Sequence, residues 1–187
     1  MLNKIQFGGN DLHIFNAVEK DSFIQIEGSA AHFGIPNLNK EIVDAASFED
    51  FFALYNDGKL IPALNYNHDP NMLIGGVDEV AIHDDTLYVR AHINKNIAFC
   101  RDTLIPMVLA GDVNSYSTEG FVDYNKIKEN EDGTYYAGSF ILTALAVVTT
   151  PADWQSEFTI KNHFEAEKAR REEELKALQQ RKIALLV

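Results

Sequence analysis

Residues 140–148 read FILTALAVV, from Phe140 to Val148, and this stretch is decisive for the fold class. Eight of its nine residues are apolar, and Pro151 follows shortly after it. The run lies within residues 134–149, which are predicted to form one long strand that is buried on both faces inside a sheet. We therefore expect a central strand with neighbours on both sides.

Further strands are predicted on the N-terminal side of this run. Apolar or alternating segments occur at residues 12–15, 23–26, 60–66, 73–82, 86–93 and 113–124. Polar turns at His83-Asp84-Asp85 and Asp132-Gly133 mark hairpins, and Pro70 is expected to end regular structure. The body is therefore predicted to consist mostly of strands.

Two helices are predicted between these strands. The first opens at Ser47, a capping residue, and ends at Asp57-Gly58. The second spans residues 96–110, presents Cys100 on an apolar face and closes at Gly111. Together with the strands they indicate an α+β fold.

The C-terminal part has a different composition. No strand signal follows Ala152, and residues 164–186 consist largely of strong helix formers. Residues 164–187 carry six basic and five acidic side chains, against ten basic and 23 acidic in the rest of the chain. The sequence therefore predicts a domain at residues 1–154 and a helical tail at 155–187.

Composition excludes several function classes. The net charge is -12, which argues against a main role in binding the phosphates of nucleic acid. The charges of the tail alternate in sign, which argues against the tail as a nucleic-acid-binding arm. No apolar segment is long enough to span a membrane, and no signal peptide is expected at the N-terminus. The single cysteine cannot form a disulfide within the chain, which fits a reducing compartment. Because no metal-ligand motif, GxGxxG or P-loop occurs, we expect no metal and no cofactor.

Candidate nucleophiles and bases remain ambiguous on residue patterns alone. Cys100 reads as a buried small hydrophobe rather than a reactive thiol. Ser115, Ser117 and Ser139 are the serines to consider, and Ser117 stands on a strand just after a helix. His68 follows an apolar strand, but a plain turn histidine has the same signature.

Several segments in order resemble the prohead (capsid maturation) serine proteases of tailed phages, which are similar in fold to the herpesvirus assemblins. They are Asn65-Tyr66-Asn67-His68, Ile74-Gly75-Gly76-Val77, Asp85 to Ala91, Gly111-Asp112 leading to Ser117-Thr118-Glu119, and Leu145 to Ala152. The resemblance covers roughly residues 23–154 and is nearest to the P2-like protease/scaffold branch. It implies a β-barrel-like core flanked by helices, with a C-terminal helical tail.

The resemblance also implies roles for individual residues. His68 matches the catalytic base, Ser117 the nucleophile, and Glu27, before Gly28, the acid that orients the base. Many relatives carry Glu-Val-Ser in the last strand, where this chain has Ala144-Leu145-Ala146. Glu119 and Asp153 are therefore alternative acids.

By this resemblance the chain is a serine endopeptidase of capsid maturation. It is expected in the host cytoplasm inside the assembling prohead, where it cuts scaffold, the major capsid protein and itself. A homodimer or higher self-association is expected, since assemblins dimerise. Two alternatives stay open: an inactive internal scaffold of the same fold, and a cellular β-rich binding module.

Overall fold

A computed structural model describes residues 3–7, 10–14 and 22–160 of the chain. Its main feature is a seven-stranded sheet with the order β12-β3-β7-β6-β5-β11-β8. These strands are β3 (Phe23–His32), β5 (Ala63–Tyr66), β6 (Asp69–His83), β7 (Thr86–Asn94), β8 (Ser115–Val122), β11 (Phe140–Val148) and β12 (Glu157–Ile160). Only the pairing of β5 with β11 is parallel among them.

Two smaller sheets accompany it. β1 (Asn3–Phe7) and β2 (Asn10–Ile14) form an antiparallel pair. β4 (Glu41–Ile42), β9 (Lys128–Glu129) and β10 (Tyr135–Tyr136) form the other, in the order β4-β10-β9. The turn between β9 and β10 contains Gly133 at φ 79°, so the Asp132-Gly133 turn signal is confirmed.

The large sheet is curled, so that its two ends approach each other. The hydroxyl of Tyr116 on β8 donates to the carbonyl of Ile26 on β3 at 3.3 Å. The hydroxyl of Ser156, just before β12, accepts from the backbone N–H of Tyr116 at 3.1 Å and is 2.8 Å from the carbonyl of Ser29. The fold is thus mixed α/β, with a curled half-barrel sheet and two helices.

The interior of the curl holds the hydrophobic core. Alternate residues of each strand face it, and Ile26, Leu64, Leu142 and Tyr116 are all fully buried. Full burial of one such side chain contributes about 1.5–3 kcal/mol to folding. On the opposite face, β5 and β8 carry the polar residues Asn65, Ser117 and Glu119, and β11 between them carries Ala144 and Ala146.

The helices lie against this sheet. α1 (Glu49–Asn56) begins after a 3-10 turn at Ala46–Phe48, and it inserts Phe51 into the core. Ser47 does not cap it as expected, because its hydroxyl and backbone exchange hydrogen bonds with Asp44 at 2.8–3.1 Å. Because Ser47 bonds back to Asp44, the helical segment begins with the 3-10 turn at Ala46, before the Ser47 position that the sequence pattern indicated.

The second predicted helix is confirmed with one irregularity. It contains a π-helical stretch at Cys100–Leu104 and continues as α2 (Ile105–Ala110). Pro106 lies just after the π-helical stretch, and because proline has no N–H to donate to the preceding turn, it lies where the regular hydrogen-bond pattern of the helix is already interrupted. Gly111 closes the helix at φ 82°, as predicted.

Two expectations about the strands are wrong. Pro70 does not end regular structure, since it is the second residue of β6 and lies beside a register shift against β5. At this register shift the hydrogen-bond pattern between β5 and β6 is interrupted, so the pairing requires no backbone N–H from Pro70. The chain also forms a strand after Ala152, because β12 pairs with β3.

The FILTALAVV run is β11, and it is buried along most of its length as predicted. The predicted strand 134–149 is divided, however, because Tyr135–Tyr136 form β10 of the small sheet and Gly138, at φ 70°, separates β10 from β11. β11 has neighbours on both sides, β5 and β8, although it lies one strand from the sheet edge rather than at the centre. Residues 161–187, which hold most of the predicted helical tail, lie outside the described residues, so the division at residue 154 stays a prediction. In the described ranges, no helix is long and apolar enough to cross a membrane.

Candidate active site

Ser117 lies near the start of β8 on the face of the sheet opposite the core. It is 5% exposed and stands directly opposite Ala146 of β11. Tyr116 and Thr118 alternate with it and point the other way, because successive side chains of a strand face opposite sides. Among the residues that the structure describes, the Ser117 side chain makes no hydrogen bond, so its hydroxyl is available for another partner.

His68 lies in the tight turn that joins β5 to β6. The turn consists of Asn67 and His68, with φ values of 51° and 60°. Two consecutive positive φ angles in a two-residue hairpin loop are typical of a type I′ turn. The backbone N–H of Asn67 donates to the carbonyl of Val147 at 3.1 Å, which fixes the turn against the end of β11.

The imidazole of His68 contacts one carboxylate. Its Nδ1 lies 3.1 Å from Oε1 of Glu119, and the two side chains are 44% and 28% exposed. A carboxylate can only accept a hydrogen bond, so a neutral imidazole that donates across this contact carries its proton on Nδ1 and has Nε2 free to accept one. No hydrogen bond within the described residues joins His68 to Ser117.

Glu119 and Ser117 share one strand and one face. They are two residues apart on β8, and strand side chains at that spacing point to the same side. Nδ2 of Asn65 also donates to Oε1 of Glu119, at 2.6 Å. The structure therefore gathers Ser117, Glu119, His68 and Asn65 on the non-core face of β8, β11 and β5.

Glu27 lies elsewhere on the sheet. It is part of β3, and its Oε2 accepts a hydrogen bond from the hydroxyl of Tyr88 at 2.9 Å. Burial, and then the Glu27 carboxylate, raise the pKa of Tyr88 to about 12. Of the three acids predicted from the sequence, Glu119 is the one that the structure joins to His68.

Asp153 is bonded to a different histidine. Its Oδ2 accepts from the backbone N–H of His32 at 2.6 Å and lies 2.9 Å from Nδ1 of that ring. This pair ties the end of β3 to the loop after β11. Asp153 therefore holds the loop next to Ser117 in place.

A small cavity opens beside Ser117. Its walls include His32, Asp153, Thr118 and Glu41, and its volume is about 20 Å³. Burial raises the pKa of Glu41, against a lowering by its hydrogen bond from Asn37. A cavity of this size holds a single water molecule and no substrate side chain.

The other candidate chemistries find no support in the geometry. Cys100 is fully buried, and burial raises the pKa of its thiol, which opposes formation of a thiolate nucleophile. Ser139 is bonded to Asp50 at 2.7 Å, and Ser115 to Asn114 at 3.1 Å. In the part of the chain that is described, no group of three or more His, Cys, Asp or Glu side chains is arranged to hold a metal.

The arrangement suits nucleophilic acyl transfer. A serine hydroxyl free of other partners, a histidine and a carboxylate on the histidine are the three parts that this chemistry requires. Sequence reasoning proposed His68 as base and Ser117 as nucleophile and named Glu119 as an alternative acid. It gave Asn65 no role, although a polar residue inside a predicted apolar strand is a usable signal.

Comparison with known proteins agrees with this chemistry. The family model described as "Caudovirus prohead serine protease" matches residues 13–170. The capsid assembly protease of bacteriophage T4 has a similar fold, with 19% identity, a TM-score of 0.54, and coverage of 66% of this chain and 80% of the T4 chain. KSHV protease, solved with a hexapeptide phosphonate inhibitor, has 10% identity, a TM-score of 0.51, and coverage of 74% and 65% respectively. No curated protein matches in sequence.

Proposed function

This chain belongs to the caudovirus prohead serine protease family, and from that premise we propose that Ser117, His68 and Glu119 are its catalytic triad. The chain is a phage serine protease of capsid maturation. In the proposed triad Ser117 is the nucleophile, His68 the general base and Glu119 the acid that orients it.

One observation supports this choice of acid above the others. Oε1 of Glu119 lies 3.1 Å from Nδ1 of His68, while Glu119 stands two residues from Ser117 on the same strand. A carboxylate in this place holds the imidazole in one tautomer and stabilises the imidazolium that forms during the reaction. The same strand therefore carries both the nucleophile and the group that prepares its base.

The proposed reaction proceeds by two acyl transfers. The hydroxyl of Ser117 attacks the peptide carbonyl while Nε2 of His68 takes its proton, and His68 then gives that proton to the leaving amine. Water, activated by the same nitrogen, hydrolyses the acyl-enzyme. Backbone N–H groups that stabilise the oxyanion each contribute about 3 kcal/mol to lowering the barrier.

The position of Glu119 also accounts for the departure in the last strand. Relatives that resemble this chain carry a glutamate where Ala144 stands, and Ala144 lies directly opposite Glu119 across the β8–β11 pair. Side chains in directly opposed positions have Cβ atoms about 5 Å apart and share a face. A carboxylate at residue 119 can thus reach the space that a glutamate at 144 serves in those relatives.

Family membership implies capsid and scaffold proteins as substrates. We further propose that the protease acts inside the assembling prohead, cleaves itself and self-associates. Residues 155–187 would serve as a scaffold-like segment, as in the P2-like branch. These finer points rest on the resemblance and on the composition of the tail.

Co-expression with the major capsid protein of the same phage tests the proposal. The wild type and Ser117→Ala are compared by intact mass spectrometry. We expect trimmed capsid protein, or loss of this chain's own tail, with the wild type alone. Full-length masses in both samples, with shells still assembled, would instead favour an inactive scaffold of the same fold.

A further inference from the structure

Asn65 is a polar residue in an apolar setting. It lies on β5, between β6 and β11, and is only 2% exposed. Its neighbour Leu64 is fully buried. A carboxamide at such a position destabilises the fold unless its polar atoms are hydrogen-bonded. The sheet would hold an aliphatic side chain there at lower cost.

The carboxamide is only half satisfied. Its Nδ2 donates to Oε1 of Glu119 at 2.6 Å, whereas its Oδ1, also buried, has no hydrogen-bond partner among the described residues. The reverse orientation of the amide would set its oxygen against a carboxylate oxygen. The single bond to Glu119 is therefore what the structure gains from an asparagine here.

The hydrogen bond from Asn65 ends on the same Glu119 oxygen, Oε1, that lies near Nδ1 of His68. Oε1 of Glu119 accepts a hydrogen bond from Asn65 and lies 3.1 Å from Nδ1 of His68, so side chains from β5 and its turn meet at one oxygen of a carboxylate on β8. Asn65 and Ser117 also lie in one row of the sheet, each opposite Ala146.

We propose that Asn65 is a positioning residue that holds the Glu119 carboxylate in the orientation in which it bonds His68. This inference rests on the proposed role of Glu119. Asn65 touches neither substrate nor the reacting atoms and acts through Glu119 alone. Its effect on Ser117 must therefore vanish when Glu119 is absent.

A double-mutant cycle on the full chain tests this. The probe is a small fluorophosphonate, which phosphonylates an activated serine with loss of fluoride, and the readout is the labelling rate of Ser117 by intact mass. Asn65→Leu should slow labelling roughly ten- to a hundredfold, as expected when a catalytic group is misplaced by about 1 Å. In a Glu119→Ala background the same change should have no further effect.

A matched control removes another buried hydrogen bond from the same fold. Ser139→Ala deletes a 2.7 Å bond to Asp50, outside the site, and should leave the labelling rate unchanged even if it lowers the unfolding temperature. Proton NMR gives a second readout: the downfield resonance of the His68 imidazole N–H, identified by its loss in His68→Gln because His32 and His92 also contact carboxylates. It should be present in the wild type and in Ser139→Ala, and lost in Asn65→Leu.

The outcomes separate this inference from the triad on which it rests. If Glu119→Ala labels at the wild-type rate, the proposed triad is wrong. If Glu119→Ala is slow while Asn65→Leu labels normally, or if the two losses multiply, the triad stands and the role of Asn65 is refuted. Should Asn65→Leu fail to fold, the isosteric Asn65→Asp replaces the donor by an acceptor, and wild-type labelling in that variant refutes the role equally.

Discussion

Replacing Glu119 with alanine removes the carboxylate that lies 3.1 Å from Nδ1 of His68. Two unit charges at that separation attract by about 1.3 kcal/mol in bulk water and by about 5 kcal/mol at an effective dielectric constant near 20. His68 is 44% and Glu119 28% exposed, so the appropriate value lies between these limits, at about 3–4 kcal/mol. We therefore expect Glu119→Ala to slow the reaction of Ser117 about 10²- to 10³-fold.

The assay is the labelling rate with a fluorophosphonate, because it needs no knowledge of the cleavage site. The sharpest version restores the acid on the neighbouring strand. Glu119→Ala combined with Ala144→Glu should regain about tenfold or more of the lost rate, since the two positions are directly opposed. Ala144→Glu alone is the control, and it should destabilise the fold by setting two carboxylates against each other.

Wild-type labelling of Glu119→Ala would refute the reasoning, because a base without its orienting carboxylate should not react normally. A slow single variant with no recovery in the double variant would retain Glu119 as the acid. It would refute the argument that carboxylates at residues 119 and 144 can occupy the same position beside the His68 imidazole.

Three further predictions follow from the site. Labelling of the wild type should rise with pH as the base loses its proton, and a flat profile would exclude His68 as the base. Glu27→Gln keeps an acceptor for Tyr88 and should label at the wild-type rate, whereas a loss of about tenfold or more would make Glu27 the orienting acid. Glu41→Gln should raise the unfolding temperature at pH 7 and have little effect near pH 4. Burial raises the pKa of Glu41 in the folded state, so the stabilisation by its protonated form is present below its unfolded pKa and is lost as pH rises. An unfolding temperature that does not change at pH 7 would contradict that assignment.

The parts of the fold that local signals specify were predictable from the sequence. The hairpin from β6 to β7 turns at Asp84, which has φ 51°, and the second helix ends at Gly111, which has φ 82°. Both depend on residues that favour positive φ at a chain reversal. Burial of Cys100 followed equally from its place on an apolar helix face.

The parts of the fold that were predicted wrongly depend on contacts with distant parts of the chain. β12 has only four residues, and its strand state requires pairing with β3, where Gly28 admits the close approach of the Glu157 carbonyl. In the sequence, the alternation of Phe158 and Ile160 with Glu157 and Thr159 was a weak sign of it. Pro70 in β6 is tolerated only because of the register shift against β5, which no local pattern reveals.

The candidate site shows the same division. Ser117 and His68 were proposed from the order of segments along the chain. The Glu119 contact depends on how β8, β11 and β5 align, and that register is a tertiary property. Yet Glu119 stands two residues from Ser117, and the two-residue period of a strand already puts both on one face. That spacing was the available signal for preferring Glu119 to Glu27.

The most direct test of the central claim is to treat the full-length protein with a fluorophosphonate and to map the adduct by peptide mass spectrometry, with Ser117→Ala in parallel. The account predicts one adduct per chain, on Ser117, and none in the variant. An adduct on another residue, or an equal yield from Ser117→Ala, would contradict it.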